Sequence, residues 1–302
     1  VSPLSFFFAF VLVLELITAT IGSPKCRPIV ANDVDRIQFA LNLEFLEAEF
    51  FLYGALGRGL DHIAPNLAMG GPPPIGAKKA NLDYITSWII EEIQYEEVSH
   101  LRFYLFNVVL ATVPSPCLFL KKLKKMINDE GNTVLSLCPR HLPSPLTVFL
   151  VVISYSLESS HNFANITIPN LASYTSKRLV GSLLGLEARH DAVIRTLLYK
   201  RANEIVIPYN ITVVEFTIDI SELKNRLAMC GIKDEGLIVP LELGAGNRAD
   251  NNILSTDVNS LSYATPPKVL RILYGTGSEY RSGGFLPNVG NGKIAQKFLS
   301  KV

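Results

Sequence analysis

The chain has 302 residues, of which 48% are hydrophobic and 18% charged, and a formal net charge of +1. That length suits one large domain or two ordinary ones, and the apolar content excludes a disordered chain. Near-neutral charge with no basic stripe removes nucleic acid from the expected partners.

The first element is an apolar run from Leu4 to Leu14, broken by Ser5 and followed by Glu15 and small residues from Thr18 to Ser23. It reads as a signal peptide over residues 1–22 and is too short for a stable transmembrane anchor. Secretion to the extracellular space or cell wall is therefore expected. Two sequons, Asn165-Ile-Thr167 and Asn210-Ile-Thr212, are compatible with a glycoprotein. Cys26, Cys117, Cys138 and Cys230 form no Cys-x-x-Cys pair, so two disulfides are expected, with three connectivities open.

Helical periodicity dominates from there. Asn32 or Asp33 caps a first long helix, in which Ile37, Leu41, Glu44, Ala48, Phe51 and Ala55 share a face. Glu47 is adjacent on that face, whereas Glu49 is expected to point to the other side. Gly54, Gly57 and Gly59 end the helix, and Ala64 to Ala77 reads as a long loop.

A second helix is expected from about Ala80 to Ala111, with Ile90, Ile93, Glu97, His100, Leu101 and Tyr104 on its apolar face. Glu91, Glu92 and Glu96 read as solvated. A third helix is predicted over Leu146 to Asn162, carrying Glu158 and His161. A fourth, from about Ser173 to Ala202, places Glu187 and His190 in a stripe with Val180, Leu183, Leu184, Ile194 and Leu198. Thr212-Val-Val-Glu215 has the form of a capping box that opens a further helix. From Lys233 onward Gly, Asn, Ser and Pro abound, and one short helix is expected after Pro266-Pro267.

Three of the five histidines follow a glutamate by three residues: Glu97/His100, Glu158/His161 and Glu187/His190. On a helix such pairs face one way. Ionisable pairs inside apolar stripes are costly to bury unless paired or metal-bound. With Glu44, Glu97, His100, Glu158, Glu187 and His190, the order matches a di-metal carboxylate bundle, in which two helices give one glutamate and two give Glu-x-x-His. Oxygen and nitrogen donors without thiolate suit iron or manganese. His161 is expected to be a surface residue or a support for the site, not a ligand.

The strings Asn42-Leu-Glu-Phe-Leu-Glu-Ala-Glu-Phe-Phe51, Gly71-Pro-Pro-Pro-Ile-Gly-Ala77, Glu97-Val-Ser-His-Leu-Arg102, Thr175-Ser-Lys-Arg-Leu-Val180 and Lys233-Asp-Glu-Gly-Leu237 resemble the plant desiccation-related proteins of the ferritin-like superfamily. The resemblance runs from about Cys26 to Leu299. It implies an all-α fold: a ferritin-like four-helix bundle over 30–202, with an irregular C-terminal extension over 203–302 packed on it. It also implies a stress-response role and places Glu44, Glu97, His100 and Glu187 where metal ligands are expected.

Two functions remain open on the sequence. One is an exported metalloprotein whose iron or manganese pair performs redox or peroxide-protective chemistry. The other is a metal-free or metal-storing protective protein without turnover. Oligomeric state is open, a homodimer included.

Overall fold

In the computed structural model, residues 29–107, 144–145, 164, 167–207, 209–230, 236–254 and 264–299 are described. The predicted third helix, with Glu158 and His161, lies outside them, as do the predicted signal peptide, Asn165, Cys26, Cys117 and Cys138.

Helix α1 spans Asp33–Leu56. Asn32 caps it, its side chain accepting from the Asp35 amide at 2.8 Å, and Asp33 and Asp35 complement the positive end of the helix dipole. Gly57, at φ 76°, ends it in the left-handed conformation that glycine adopts without cost. Two short turns follow, α2 (Leu60–Ile63) and α3 (Pro65–Ala68), the second inside the Ala64 to Ala77 segment expected to be loop. Strand β1 (Ala80–Asn81) pairs in parallel with β2 (Ser144–Pro145), so α4 starts later than expected, at Tyr84, and runs to Asn107.

Helix α5 (Tyr174–Tyr199) is the predicted fourth helix. An antiparallel pair of two-residue strands, β3 (Ile205–Val206) and β4 (Ile211–Thr212), leads into α6 (Val213–Ala228). The capping box there is complete. The Thr212 hydroxyl accepts from the Glu215 amide at 3.2 Å, and the Glu215 carboxylate accepts from the Thr212 amide at 2.7 Å. The late chain holds α7 (Pro266–Tyr274), as expected, and α8 (Gly292–Leu299), which was not. Eight residues behind a glycine are too short a run for periodicity to reveal; packing against α1 supplies the stability instead.

Helix α1 lies between two apolar clusters. Ile37, Leu41, Phe45, Ala48 and Leu52 pack with Val98, Leu101 and Leu183 on one side. Phe39, Leu43, Leu46 and Phe51 pack with Ile194, Leu198 and residues of α6–α8 on the other. Burying one such side chain is worth about 1.5–3 kcal/mol. The two clusters therefore fix α1 firmly, and with it the positions of its buried glutamates.

Ion pairs set the relative direction of the helices. Asp83 meets Arg201, Glu96 meets Arg189 and Glu97 meets His190, so α4 and α5 run antiparallel. The end of α1 lies beside the chain leading into α4, with Gly57 against Lys79, while Glu44 meets His100 at mid-helix. Helices α1 and α4 are thus antiparallel as well, and α1 runs parallel to α5.

Candidate metal centre

Glu44 of α1, Glu97 and His100 of α4, and Glu187 of α5 converge in the bundle interior. Each contributes one donor atom, all four atoms lie within 4.8 Å of one another, and all four residues are buried. His100 Nδ1 stands 3.2 Å from Glu97 Oε2, 3.3 Å from Glu44 Oε2 and 3.8 Å from Glu187 Oε1. Glu97 is central: its second oxygen, Oε1, lies 3.0 Å from His190 Nδ1. The two imidazoles, 6.3 Å apart and nearly parallel, therefore address opposite oxygens of one carboxylate.

His190 sits beside the four-donor group. Its Nε2 donates to the Glu96 carboxylate at 2.6 Å, and Arg189 donates to the same oxygen at 2.6 Å. An ionised carboxylate can only accept, so Nε2 carries a proton; Nδ1 faces Glu97, and despite burial, which favours the neutral ring, Glu97 and Glu96 raise His190 above the usual imidazole range. Glu96 was expected to be solvated; it is half-buried and holds a ring of the site. The periodicity of α4 gives no sign of this. The sign lies across the helix pair, because the antiparallel alignment sets Glu96 opposite Arg189 and His190.

Electrostatics follow from the burial. Desolvation raises the Glu44 carboxyl, opposed by His100. Desolvation, then the charges of Glu47, Glu97, Glu44 and Asp191, push Glu187 well above the usual carboxylate range. Glu97 goes the other way: burial opposes ionisation, but His100 and His190 outweigh it and hold the group at about 2. For His100, burial alone would favour the neutral ring, yet Glu44 and Glu97 raise it to about 11. Glu49, expected on the far side of α1, is also buried. It accepts from the Leu60 amide at 3.2 Å beneath Gly59, where a Cβ would overlap its carboxylate.

The residues fit a bound metal. Both oxygens of Glu187 are buried without a hydrogen bond, and Glu97 Oε1 and His190 Nδ1 approach closely without hydrogen-bond geometry. Buried polar atoms in folded proteins are paired in the great majority of cases. Donor atoms that crowd together while pairing poorly are arranged for a shared cation, and hard oxygen plus imidazole suits iron or manganese. The structure brings together Glu44, Glu97, His100 and Glu187, with His190 adjoining.

A family model, the ferritin-like domain, matches residues 32–200. The chain belongs to the ferritin-like family. Two curated relatives extend the match beyond that domain. The ferritin-like catalase Nec2 of Nesocodon mauritianus is 45% identical over 99% of this chain and 98% of its own length. The desiccation-related protein PCC13-62 of Craterostigma plantagineum is 39% identical over 87% of this chain and 84% of its own. No solved structure matches. The resemblance read from the sequence motifs is thereby established, and the buried Glu/His cluster fits the di-metal sites of ferritin-like proteins.

Proposed function

We propose that this chain is an exported ferritin-like metalloprotein that binds two iron or manganese ions through Glu44, Glu97, His100, Glu158, Glu187 and His190 and disproportionates hydrogen peroxide. The observation that carries the proposal is the placement of Glu97 between two imidazoles, one on each oxygen, in a buried group of four donors. A carboxylate so placed is suited to join two cations. The name of the Nesocodon relative, a catalase of the same fold and nearly the same length, favours peroxide as the substrate.

The overall change is two hydrogen peroxide molecules to two water and one oxygen molecule. Bound as a pair, iron or manganese supplies reversible electron exchange with peroxide. The chain's own groups do the rest. Glu44, Glu97 and Glu187 would hold the cations by charge, His100 and His190 would supply nitrogen once their protons are displaced, and Glu96 fixes the ring of His190. The apolar clusters on either side of α1 keep bulk water out. Export is supported by the N-terminal apolar run, by Cys230 being disulfide-bonded, and by the exposure of Asn210 in the turn between β3 and β4. Among the described residues no helix is long and apolar enough to cross a membrane.

Elemental analysis and oxygen release test the reading together. Purified protein should carry about two Fe or Mn per chain and release oxygen from peroxide. The Glu97→Ala/His100→Ala pair should lose both while keeping its helical content. Metal without oxygen release would instead favour a metal-storing protective protein. Protein that takes up no metal would remove the proposal.

A further inference from the structure

A second polar layer adjoins the metal centre. One turn beyond Glu44 on α1 is Glu47, one turn before Glu97 on α4 is Gln94, and one turn beyond Glu187 on α5 is Asp191. Because α4 runs opposite to α1 and α5, all three displacements lead toward the same end of the bundle. All three side chains are buried, Gln94 completely. The carboxyl of Glu187 feels the charges of both Glu47 and Asp191, so the two layers are electrostatic neighbours. In a helix the side chain leans toward the N-terminus, so the Glu97 carboxyl lies back over the turn that carries Gln94.

Gln94 is the uncharged member, and neither its amide nitrogen nor its amide oxygen makes a hydrogen bond. An amide buried without partners is among the costliest groups in a protein interior. Leucine or methionine would fill the position without that cost. A carboxamide there is suited to a small guest that both donates and accepts. Water and hydrogen peroxide meet that description; peroxide has two O–H donors and lone pairs on both oxygens. A larger molecule would not fit a closely packed bundle.

We propose that Gln94 is a substrate-binding residue. Its N–H donates to one peroxide oxygen and its C=O accepts from a peroxide O–H, holding the molecule one turn from Glu97. Ordered water occupies the same place between turnovers. The assignment rests on the peroxide reading above for its substrate, but the guest site itself stands on geometry.

Two measurements test it. A crystal structure of the metal-loaded wild-type protein should show an ordered oxygen about 3 Å from both Gln94 Nε2 and Oε1. A dry amide, or one turned onto a protein partner, overturns the site. Gln94→Leu, with the near-isosteric Gln94→Met in case leucine does not fold, should then raise the KM for hydrogen peroxide at least tenfold. Expected alongside are kcat within about twofold, unchanged metal content and no gain in thermal stability. A higher melting temperature with unchanged KM would mean the amide is only a buried liability and would overturn the proposal. If wild-type protein binds metal but releases no oxygen, the peroxide reading fails by itself, and the crystallographic result still decides whether Gln94 holds a guest.

Discussion

His190 and Glu96 are joined across α5 and α4 by a 2.6 Å hydrogen bond in which imidazole Nε2–H donates to the carboxylate. The bond fixes the ring's orientation, so the other nitrogen, Nδ1, is directed at Glu97. Groups that orient a metal-binding imidazole in this way typically contribute ten- to a hundredfold in affinity. Glu96→Ala should therefore weaken metal binding by about that factor in competition with a chelator. Glu96→Gln, whose amide oxygen still accepts, should lose much less. Wild-type affinity in the alanine variant would place His190 outside the site.

Metal binding should be proton-linked, with a definite sign. Burial first, and neighbouring carboxylates second, keep Glu187 protonated in the metal-free chain, and the contacts of His100 with Glu44 and Glu97 hold that ring charged up to about pH 11. An incoming cation must displace these protons, so affinity rises with pH, by roughly tenfold per pH unit for each proton released. Titration at pH 6 and pH 8 would show it, and a pH-independent affinity would contradict it. Glu187→Gln resembles the protonated acid. It should leave the stability of the metal-free protein nearly unchanged while tight binding is lost.

Glu49 gives a separate pH dependence, in stability. Burial raises its carboxyl from the ordinary 4.5 to about 7, the Leu60 amide opposing and Asp61 adding. The folded chain thus holds a proton that the unfolded chain releases between pH 4.5 and 7. Stability from this group is complete below that window and declines as pH rises through it, by roughly 3 kcal/mol at full ionisation. Urea unfolding at pH 5 and pH 8 should show a smaller difference for Glu49→Gln than for the wild type. Equal differences would mean Glu49 is already ionised at pH 5.

Arg271 and Glu279 form a buried pair, with guanidinium nitrogens 2.7 and 2.9 Å from the two carboxylate oxygens and a further bond to the Ala228 carbonyl at 3.1 Å. Removing one partner strands the other charge. Glu279→Ala should cost about 3–5 kcal/mol in denaturant unfolding. A loss below about 1 kcal/mol would show that water reaches the guanidinium.

The legible part of the site was the part written along single helices. Glu44, Glu97, His100 and Glu187 each stand in an apolar stripe, and a charge in such a stripe announces itself by its cost. Glu96 and Gln94 escape that logic. Glu96 looks like one of a row of surface acids until α5 is laid beside α4, and Gln94 has no charge to mark it. Glu49 was misjudged because α1 is covered on nearly every side, so its rear face is interior too. Helix α8 escaped because its eight residues are held by α1 and not by their own pattern.

Asn42, two residues before Glu44, accepts from the Asn291 amide at 2.6 Å and donates to the Asn291 carbonyl at 2.9 Å, a clasp across 249 positions of sequence. Residues two apart on a helix face nearly opposite ways, so the clasp grips α1 from the side turned away from the Glu44 carboxylate. The rotation of the helix that presents Glu44 is thus braced by a residue far in sequence from every donor of the centre.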